Sequence, residues 1–291
     1  MSEPRRLGGR DAADRVERDA LDRLEACREA GVDPCLATVL VSDDPDAHRF
    51  MDYKHEACAD AGIDTERVDL PADTPADTVY ERVSALATDP NVTALFVQVP
   101  LPAHVDATEV RRRVPSEKDV DCFAPANVGR LVQGAPRVRP VTELAVDRLL
   151  SAHDVPVAGR DAVVVGRTPA IGTPIAHLLC RRDATVTVCH SRTQDLAAKT
   201  RAADLLVTAA GVPELVDGSM VSEGVVVVDV SVNRVQRDGE SRVVGDVDAE
   251  SVGEKAAAMT PVPGGVGPLT MAFLLRNLVA VSEPSPRETG G

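Results

Sequence analysis

Short β-branched apolar runs alternate with amphipathic stretches along nearly the whole chain, the pattern of an α/β protein built on parallel sheets. Asp161–Val165, DAVVV, is the clearest run and reads as a strand buried on both faces. Thr185–Cys189, Asp204–Ala209 and Val225–Val230 repeat it, and Ile171–Arg182 between them reads as an amphipathic helix. The first half carries the same alternation. A helix over Asp11–Ala30 puts Val16, Ala20, Leu24 and Cys27 on one face, with Gly31 as its stop. Then follow a strand at Leu36–Val41, a helix over Asp46–Ala61, a weak strand at Arg67–Leu70 and a helix carrying Val79, Val83 and Leu86. Thr74-Pro75 reads as that helix's start, a capping hydroxyl followed by proline. Thr93–Val99 is a second buried strand, Asp106–Val114 and Thr142–Ala152 are helices, and an apolar helix over Met271–Val281 closes the chain. Two domains of ordinary size fit 291 residues. The change between them is expected near Arg137–Val141, after Gly134-Ala135-Pro136.

Charge narrows the partners. A net charge of −14 argues against nucleic acid, whose phosphates need a basic surface. No apolar run approaches the roughly 20 residues of a membrane span, and MSEPRRLGGR has no apolar signal core, so a soluble, cytoplasmic protein is expected. Lys54, Lys118, Lys199 and Lys255 are the only lysines, while arginine and aspartate abound and aromatics are 2%. That balance fits adaptation to high salt, where a Debye length of about 3 Å at 1 M screens self-repulsion. The six cysteines show no C-x-x-C pair, so neither a disulfide framework nor a metal site is expected, and most read as small buried hydrophobes.

Several stretches carry candidate chemistry. Gly166 ends the DAVVV strand and Gly172 opens the next helix, which makes a place for a phosphate at a helix N-terminus. The G-x-G-x-x-G fingerprint is absent, since five residues separate these glycines, so an ordinary strand–helix turn stays open as the alternative. The next strand ends in His190-Ser191-Arg192, where an NAD site would place an acidic residue; serine and arginine suit a 2′-phosphate, hence NADP. Gln98 stands at the C-terminal end of a parallel strand, where α/β sites are built. Phe50, Lys54 and Cys58 share a helix face; on spacing alone the commoner arrangement is a lysine stem on apolar surface with its ammonium in water. The charged loop Pro115–Phe123 reads as solvated, whereas Thr260–Thr270 is too apolar for a plain linker.

Six segments then coincide in order: VQVPLPAHVD (97–106), PSEKDVDCFAPANVGR (115–130), AVVVGRTPAIGTP (162–174), VVDVSVNR (227–234), GDVD (245–248) and TPVPGGVGPLT (260–270). Together they closely resemble the bifunctional methylenetetrahydrofolate dehydrogenase/cyclohydrolase family, from about Leu36 to the terminal helix. The resemblance implies an α/β folate-binding catalytic domain over residues 1–140, completed by the terminal helix 268–291. It implies a Rossmann NADP-binding domain over 141–267, with a cleft between the two. It further implies NADP-dependent oxidation of 5,10-methylenetetrahydrofolate to the methenyl form and hydrolysis to 10-formyltetrahydrofolate. Such enzymes are homodimers of one-carbon metabolism and purine biosynthesis, with tetrahydrofolate derivatives as substrates.

Carried over by residue, the resemblance makes Lys54 the catalytic lysine, Gln98 its hydrogen-bonding partner and Asp121 the carboxylate that holds the pterin. Gly166, Arg167 and Thr168 match the NADP phosphate turn, Ser191 and Arg192 lie near the 2′-phosphate, and Val232 lies near the nicotinamide. Phe50 matches a substrate-binding position, and Pro263, Gly264 and Gly265 match the loop over the folate. The chain departs from the pattern in places. Phe50 replaces a tyrosine, Cys122 and Ser231 replace glycines, and Pro140-Val141-Thr142-Glu143 replaces a PCTP turn. Tyr53, about 100° around the helix from Lys54, is not a substitute for the missing hydroxyl. Phe50 motivates an alternative, a monofunctional dehydrogenase with weak or no cyclohydrolase activity. A non-catalytic folate- or NADP-binding protein is the other alternative, against which the joint presence of Lys54, Gln98 and Asp121 argues.

Overall fold

The computed structural model describes residues 3–237 and 239–283. The chain forms two compact units. One holds the chain up to Asp14 together with Thr142–Thr270; the other holds Arg15–Val141 and the chain from Met271 onward.

The chain opens with β1 (Arg5–Arg6) and α1 (Arg10–Glu29). Next come β2 (Cys35–Val41), α2 (Pro45–Asp60), β3 (Asp64–Leu70), α3 (Ala76–Thr88), β4 (Ala94–Val97), α4 (Ala107–Arg113) and α5 (Pro125–Val132). The strands form a three-stranded parallel sheet, β3-β2-β4, with Val39 level with both Val68 and Val97. Central β2 is buried along almost its whole length, while edge strand β3 buries Val68 alone of its seven residues. The stripe Val79, Val83 and Leu86 on α3 packs into the same core as Val39, Val41 and Val97. Asp44 caps α2 by accepting from the Asp46 N–H at 3.0 Å, and Pro45 follows in the first turn. Thr74 does not cap α3, contrary to its sequence pattern. Its hydroxyl donates to the Pro71 carbonyl at 2.7 Å, and Pro75 itself holds the cap position. Helix α5 has no counterpart in the sequence expectation: it is short, and its glycine is a poor helix former.

The second unit comprises most of α6 (Val141–Ala152), then β5 (Asp161–Val165), α7 (Gly172–Arg181), β6 (Thr185–Cys189), α8 (Leu196–Arg201), β7 (Leu205–Thr208) and β8 (Val226–Asp229). A hairpin of β9 (Asn233–Arg237) and β10 (Glu240–Val244), helix α9 (Ala249–Gly253) and β11 (Ala258–Met259) follow, and α10 (Val266–Ser282) runs from there to the end of the described chain. The six-stranded sheet is parallel throughout, in the order β1-β11-β8-β7-β5-β6. The chain leaves β5 in one direction for β6 and returns past it to β7. That reversal makes the carboxyl ends of β5 and β7 a topological switch point, the place where open α/β sheets bind ligands.

Two boundaries differ from expectation. By packing, residues 3–14 group with the six-stranded unit: β1 adds to the sheet beside β11 and Leu7 is fully buried. The terminal helix starts at Val266, inside the Pro/Gly-rich stretch; Pro268 sits in its first turn, where a missing N–H costs nothing. The last eight residues of the expected helix 268–291 lie outside the described residues.

Candidate active site

In the three-stranded unit, α2 delivers Lys54 inward rather than to solvent: the residue is 6% exposed. The reading of a snorkelling ammonium is therefore corrected. Met51, Lys54 and Cys58 are the buried stripe of α2, so the lysine lies on its core-facing side. Its Nζ donates to the carbonyl of Phe50 at 3.2 Å and to Oε1 of Gln98 at 3.3 Å. Gln98 stands one residue past β4, where its N–H still bonds the Val39 carbonyl at 2.9 Å, and its side-chain N–H is taken by the Val99 carbonyl at 2.8 Å. The amide oxygen is thereby left to face Lys54. The ring of Phe96 lies 4.8 Å from Nζ. Burial lowers the Lys54 pKa from 10.5 to about 8, and the negative charge of Asp121 partly opposes that shift.

Asp121 lies on the stretch Pro115–Phe123, which is not the solvated loop its charges suggested. Asp119, Val120, Cys122 and Phe123 are all buried. The organiser is Asp119, whose carboxylate accepts from the N–H groups of Asp121 (3.1 Å), Phe123 (2.9 Å) and Ala124 (2.9 Å) and from the Asn127 amide (2.8 Å). These bonds wind the loop tightly enough to put Cys122 at φ 55, the left-handed region a glycine would fill without strain. Asn277 of α10 fixes the loop from the other side by donating to the carbonyls of Val120 (2.8 Å) and Arg139 (2.9 Å). The Asp121 carboxylate accepts the Val141 N–H at 2.7 Å. Burial raises its pKa to about 7, against that hydrogen bond; Asp119 adds to the rise and Lys54 opposes it.

The structure thus gathers Phe50, Lys54, Gln98 and Asp121 in one unit and ties the first three together by hydrogen bonds. Phe50 contributes its backbone carbonyl, and the aromatic ring against the ammonium belongs to Phe96. Phe96, Asp119 and Asn277 were missed. A signal existed for each: Phe96 precedes Gln98 by two and so shares its strand face, Asp119 precedes Asp121 by two within KDVD, and Asn277 is a lone amide in an apolar helix.

In the six-stranded unit, Gly166 follows β5 at φ +134, and a Cβ there would stand 2.3 Å from the Ala209 carbonyl oxygen. A Cβ on Gly172 would stand 2.3 Å from the Gly166 carbonyl oxygen. Only glycines let the turn close this tightly at the switch point. Arg167 and Thr168 are exposed on it, and the Gly166 N–H bonds the Cys189 carbonyl at the end of β6 at 2.9 Å. The turn beyond β6 is braced by the His190 N–H on the Thr193 hydroxyl (2.8 Å), which leaves Ser191 and Arg192 exposed. A turn closed tightly between two glycines and leading into α7, with Ser191 and Arg192 exposed beyond β6 and no carboxylate in Cys189–Thr193, fits a dinucleotide with a 2′-phosphate. Val232 stands in the loop after β8 with its side chain exposed. Pro263, Gly264 and Gly265 form the turn before α10, where the Gly264 carbonyl accepts the Gly9 N–H at 3.0 Å. Among the described residues, no group of His, Cys, Asp and Glu could hold a metal ion, and no helix is long and apolar enough to cross a membrane.

Comparison with known proteins bears on both units. Residues 7–121 match the catalytic domain of tetrahydrofolate dehydrogenase/cyclohydrolase, and residues 140–285 match its NAD(P)-binding domain. The "Bifunctional protein FolD" of Natronomonas pharaonis is 49% identical over 279 residues, 94% of each chain. The FolD enzyme of Campylobacter jejuni has a solved structure that superposes with a TM-score of 0.87 at 38% identity, covering 95% of this chain and 97% of that one. The FolD of Trypanosoma brucei, solved with NADP and an inhibitor, gives a TM-score of 0.90 at 35% identity, covering 97% and 98%. The chain belongs to the tetrahydrofolate dehydrogenase/cyclohydrolase family.

Proposed function

We infer that the chain is an NADP-dependent methylenetetrahydrofolate dehydrogenase and methenyltetrahydrofolate cyclohydrolase. It oxidises 5,10-methylenetetrahydrofolate to the methenyl form and hydrolyses that to 10-formyltetrahydrofolate. The observation that carries the assignment of residues is the buried, hydrogen-bonded Lys54, with its pKa lowered to about 8.

A neutral lysine amine has two N–H groups and one lone pair. Phe50 and Gln98 offer an acceptor to each N–H, so the lone pair takes the remaining direction. When Nζ is charged, its third N–H points the same way. One position on Lys54 therefore serves as base toward an attacking water and then as acid toward the departing nitrogen. Gln98 holds that position, and Phe96 keeps bulk water off the amine. Asp121, steadied by Val141, accepts hydrogen bonds from the pterin, and as an anion it makes them stronger than neutral ones.

When bound, NADP accepts the hydride of the oxidation. Gly166, Arg167 and Thr168 hold its phosphates, Ser191 and Arg192 its 2′-phosphate, and Val232 its nicotinamide end. Pro263, Gly264 and Gly265 border the folate. Homodimerisation, a cytoplasmic site of action, a place in one-carbon metabolism ahead of purine synthesis, and adaptation to high salt complete the reading, supported by family resemblance and by composition. The purified protein, given methylenetetrahydrofolate with NADP or NAD, should produce absorbance of reduced cofactor and of methenylfolate, and then hydrolyse the latter. Methenylfolate that accumulates and decays no faster than in buffer would favour a dehydrogenase alone, the reading that Phe50 in place of tyrosine supports.

A further inference from the structure

Two loops leave the carboxyl ends of adjacent strands in the six-stranded sheet: one follows β7 through Ala210, Gly211 and Val212, the other follows β8 through Val230, Ser231 and Val232. Each raises a large apolar side chain into solvent, Val212 at 45% exposure and Val232 at 43%. Both loops are nonetheless tied to one side chain. Asp246, fully buried, accepts from the N–H groups of Ala210 (2.6 Å), Gly211 (3.2 Å) and Val212 (2.8 Å). On the second loop and the start of β9 it accepts from the Ser231 hydroxyl (2.7 Å) and the Asn233 amide (3.0 Å). Ser231 Oγ also accepts the Gly211 N–H at 3.3 Å, which joins the two loops directly.

We propose that Asp246 is a positioning residue for the dehydrogenase, holding in register the two loops that carry Val212 and Val232 at the nicotinamide end of the cofactor site. The inference rests on the functional reading above. All five partners donate, so the site calls for an anion that only accepts. Oδ1 serves Val212 and Asn233, and Oδ2 serves Ala210, Gly211 and Ser231. An isosteric asparagine must turn its NH2 toward one of these sets, leaving buried donors facing donors and letting one loop drift. The carboxylate is enclosed and its oxygens are engaged, so it acts through the loops and touches neither cofactor nor substrate.

The test measures NADPH binding directly, by cofactor fluorescence, alongside both activities in Asp246→Asn. The expected result is an NADPH Kd raised at least about tenfold and a comparable loss of dehydrogenase kcat/KM. Methenylfolate hydrolysis, which depends on Lys54 in the other unit, should stay within about twofold. Should Asp246→Asn fail to fold, Ser231→Ala and Asn233→Ala each remove one donor, and each should raise the Kd at least about threefold with hydrolysis kept. A folded variant that binds NADPH as tightly as wild type overturns the proposal. So does one in which hydrolysis falls in step with oxidation, which would mark a merely structural residue. Wild-type protein that binds no NADPH would instead sink the functional reading, and this inference with it.

Discussion

Lys54 Nζ and Gln98 Oε1 are 3.3 Å apart, and the amide of Gln98 cannot flip freely because its N–H is spent on the Val99 carbonyl. The pairing gives the lysine a fixed acceptor in both protonation states. Lys54→Gln should abolish cyclohydrolase activity by the roughly 10²–10⁴-fold that general acid–base catalysis contributes. Hydride transfer needs no proton at that position, so oxidation should fall less, through poorer placement of the folate. Hydrolysis that survives the change intact would place the base elsewhere. Gln98→Asn withdraws the acceptor by one methylene and should cost hydrolysis up to about a hundredfold through misorientation alone.

The lowered Lys54 pKa predicts the shape of the pH profile. If the neutral amine takes the proton from water, as proposed, enzymatic hydrolysis, corrected for the buffer reaction, should rise with pH and level off above about 8. Lys54→Gln should flatten that rise. A wild-type profile that stays flat from pH 6 to 9, roughly the span over which such a base titrates, would refute the role.

The strand–helix alternation was legible because parallel strands are buried on both faces and show as unbroken β-branched runs. DAVVV is β5 to the residue; TVTVC is β6, legible from β-branching alone, since this edge strand is mostly exposed rather than buried on both faces. Short elements without a core stripe were not legible: β1 and β11 are two residues each, and the β9–β10 hairpin is largely exposed. At the site, spacing put Lys54 on a face with Cys58, but the burial of that face comes from strands elsewhere in the chain. The Pro115–Phe123 loop misled for a related reason. Its Asp119 is an internal hydrogen-bond hub, and a sequence does not distinguish a carboxylate facing four donors from one facing water.

Arg192 is exposed beside Ser191, with no acidic residue from Cys189 to Thr193. Arg192→Ala should raise the KM for NADP by about tenfold, the worth of one charge-assisted contact, and leave that for NAD nearly unchanged. Steady-state kinetics with both cofactors checks this, and equal losses would remove Arg192 from the 2′-phosphate site.

Salt dependence follows from how the few lysines are used. Lys54 is buried, Lys118 donates to the Asp89 carbonyl at 2.7 Å and Lys255 to the Gly218 carbonyl at 2.6 Å. The net charge of −14 remains with every lysine and arginine counted, so acidic groups are in large excess. The melting midpoint should therefore climb as KCl goes from dilute to molar, where screening shortens the reach of self-repulsion to about 3 Å. A midpoint that does not move would count against salt adaptation while leaving the enzymatic reading intact.

Asp121 should lower stability for the sake of function. Its carboxyl titrates at 3.8 when solvated and at about 7 in the folded chain, chiefly because burial disfavours the anion. Between those values the native state binds more protons than the unfolded one, so this group's contribution to stability falls as pH rises through the window and is fully lost above it. Lys54 has the opposite kind of shift, from 10.5 to about 8, so the unfolded state binds the extra proton there and stability recovers only as pH rises from 8 toward 10.5. Near neutrality both groups are held at a cost. Asp121→Asn keeps an oxygen for the Val141 N–H and removes the buried charge. It should melt higher than wild type at pH 8, by a gain on the order of 1–2 kcal/mol, and the gain should shrink toward pH 4 as the wild-type carboxyl takes up its proton. On the role proposed for Asp121, the same variant should bind folate poorly, having lost the anion that would accept from the pterin. Melting curves in molar KCl over that pH range decide the matter, and an Asn variant less stable than wild type at pH 8 would mean that the Asp121 charge is stabilised by partners stronger than Val141 and Lys54.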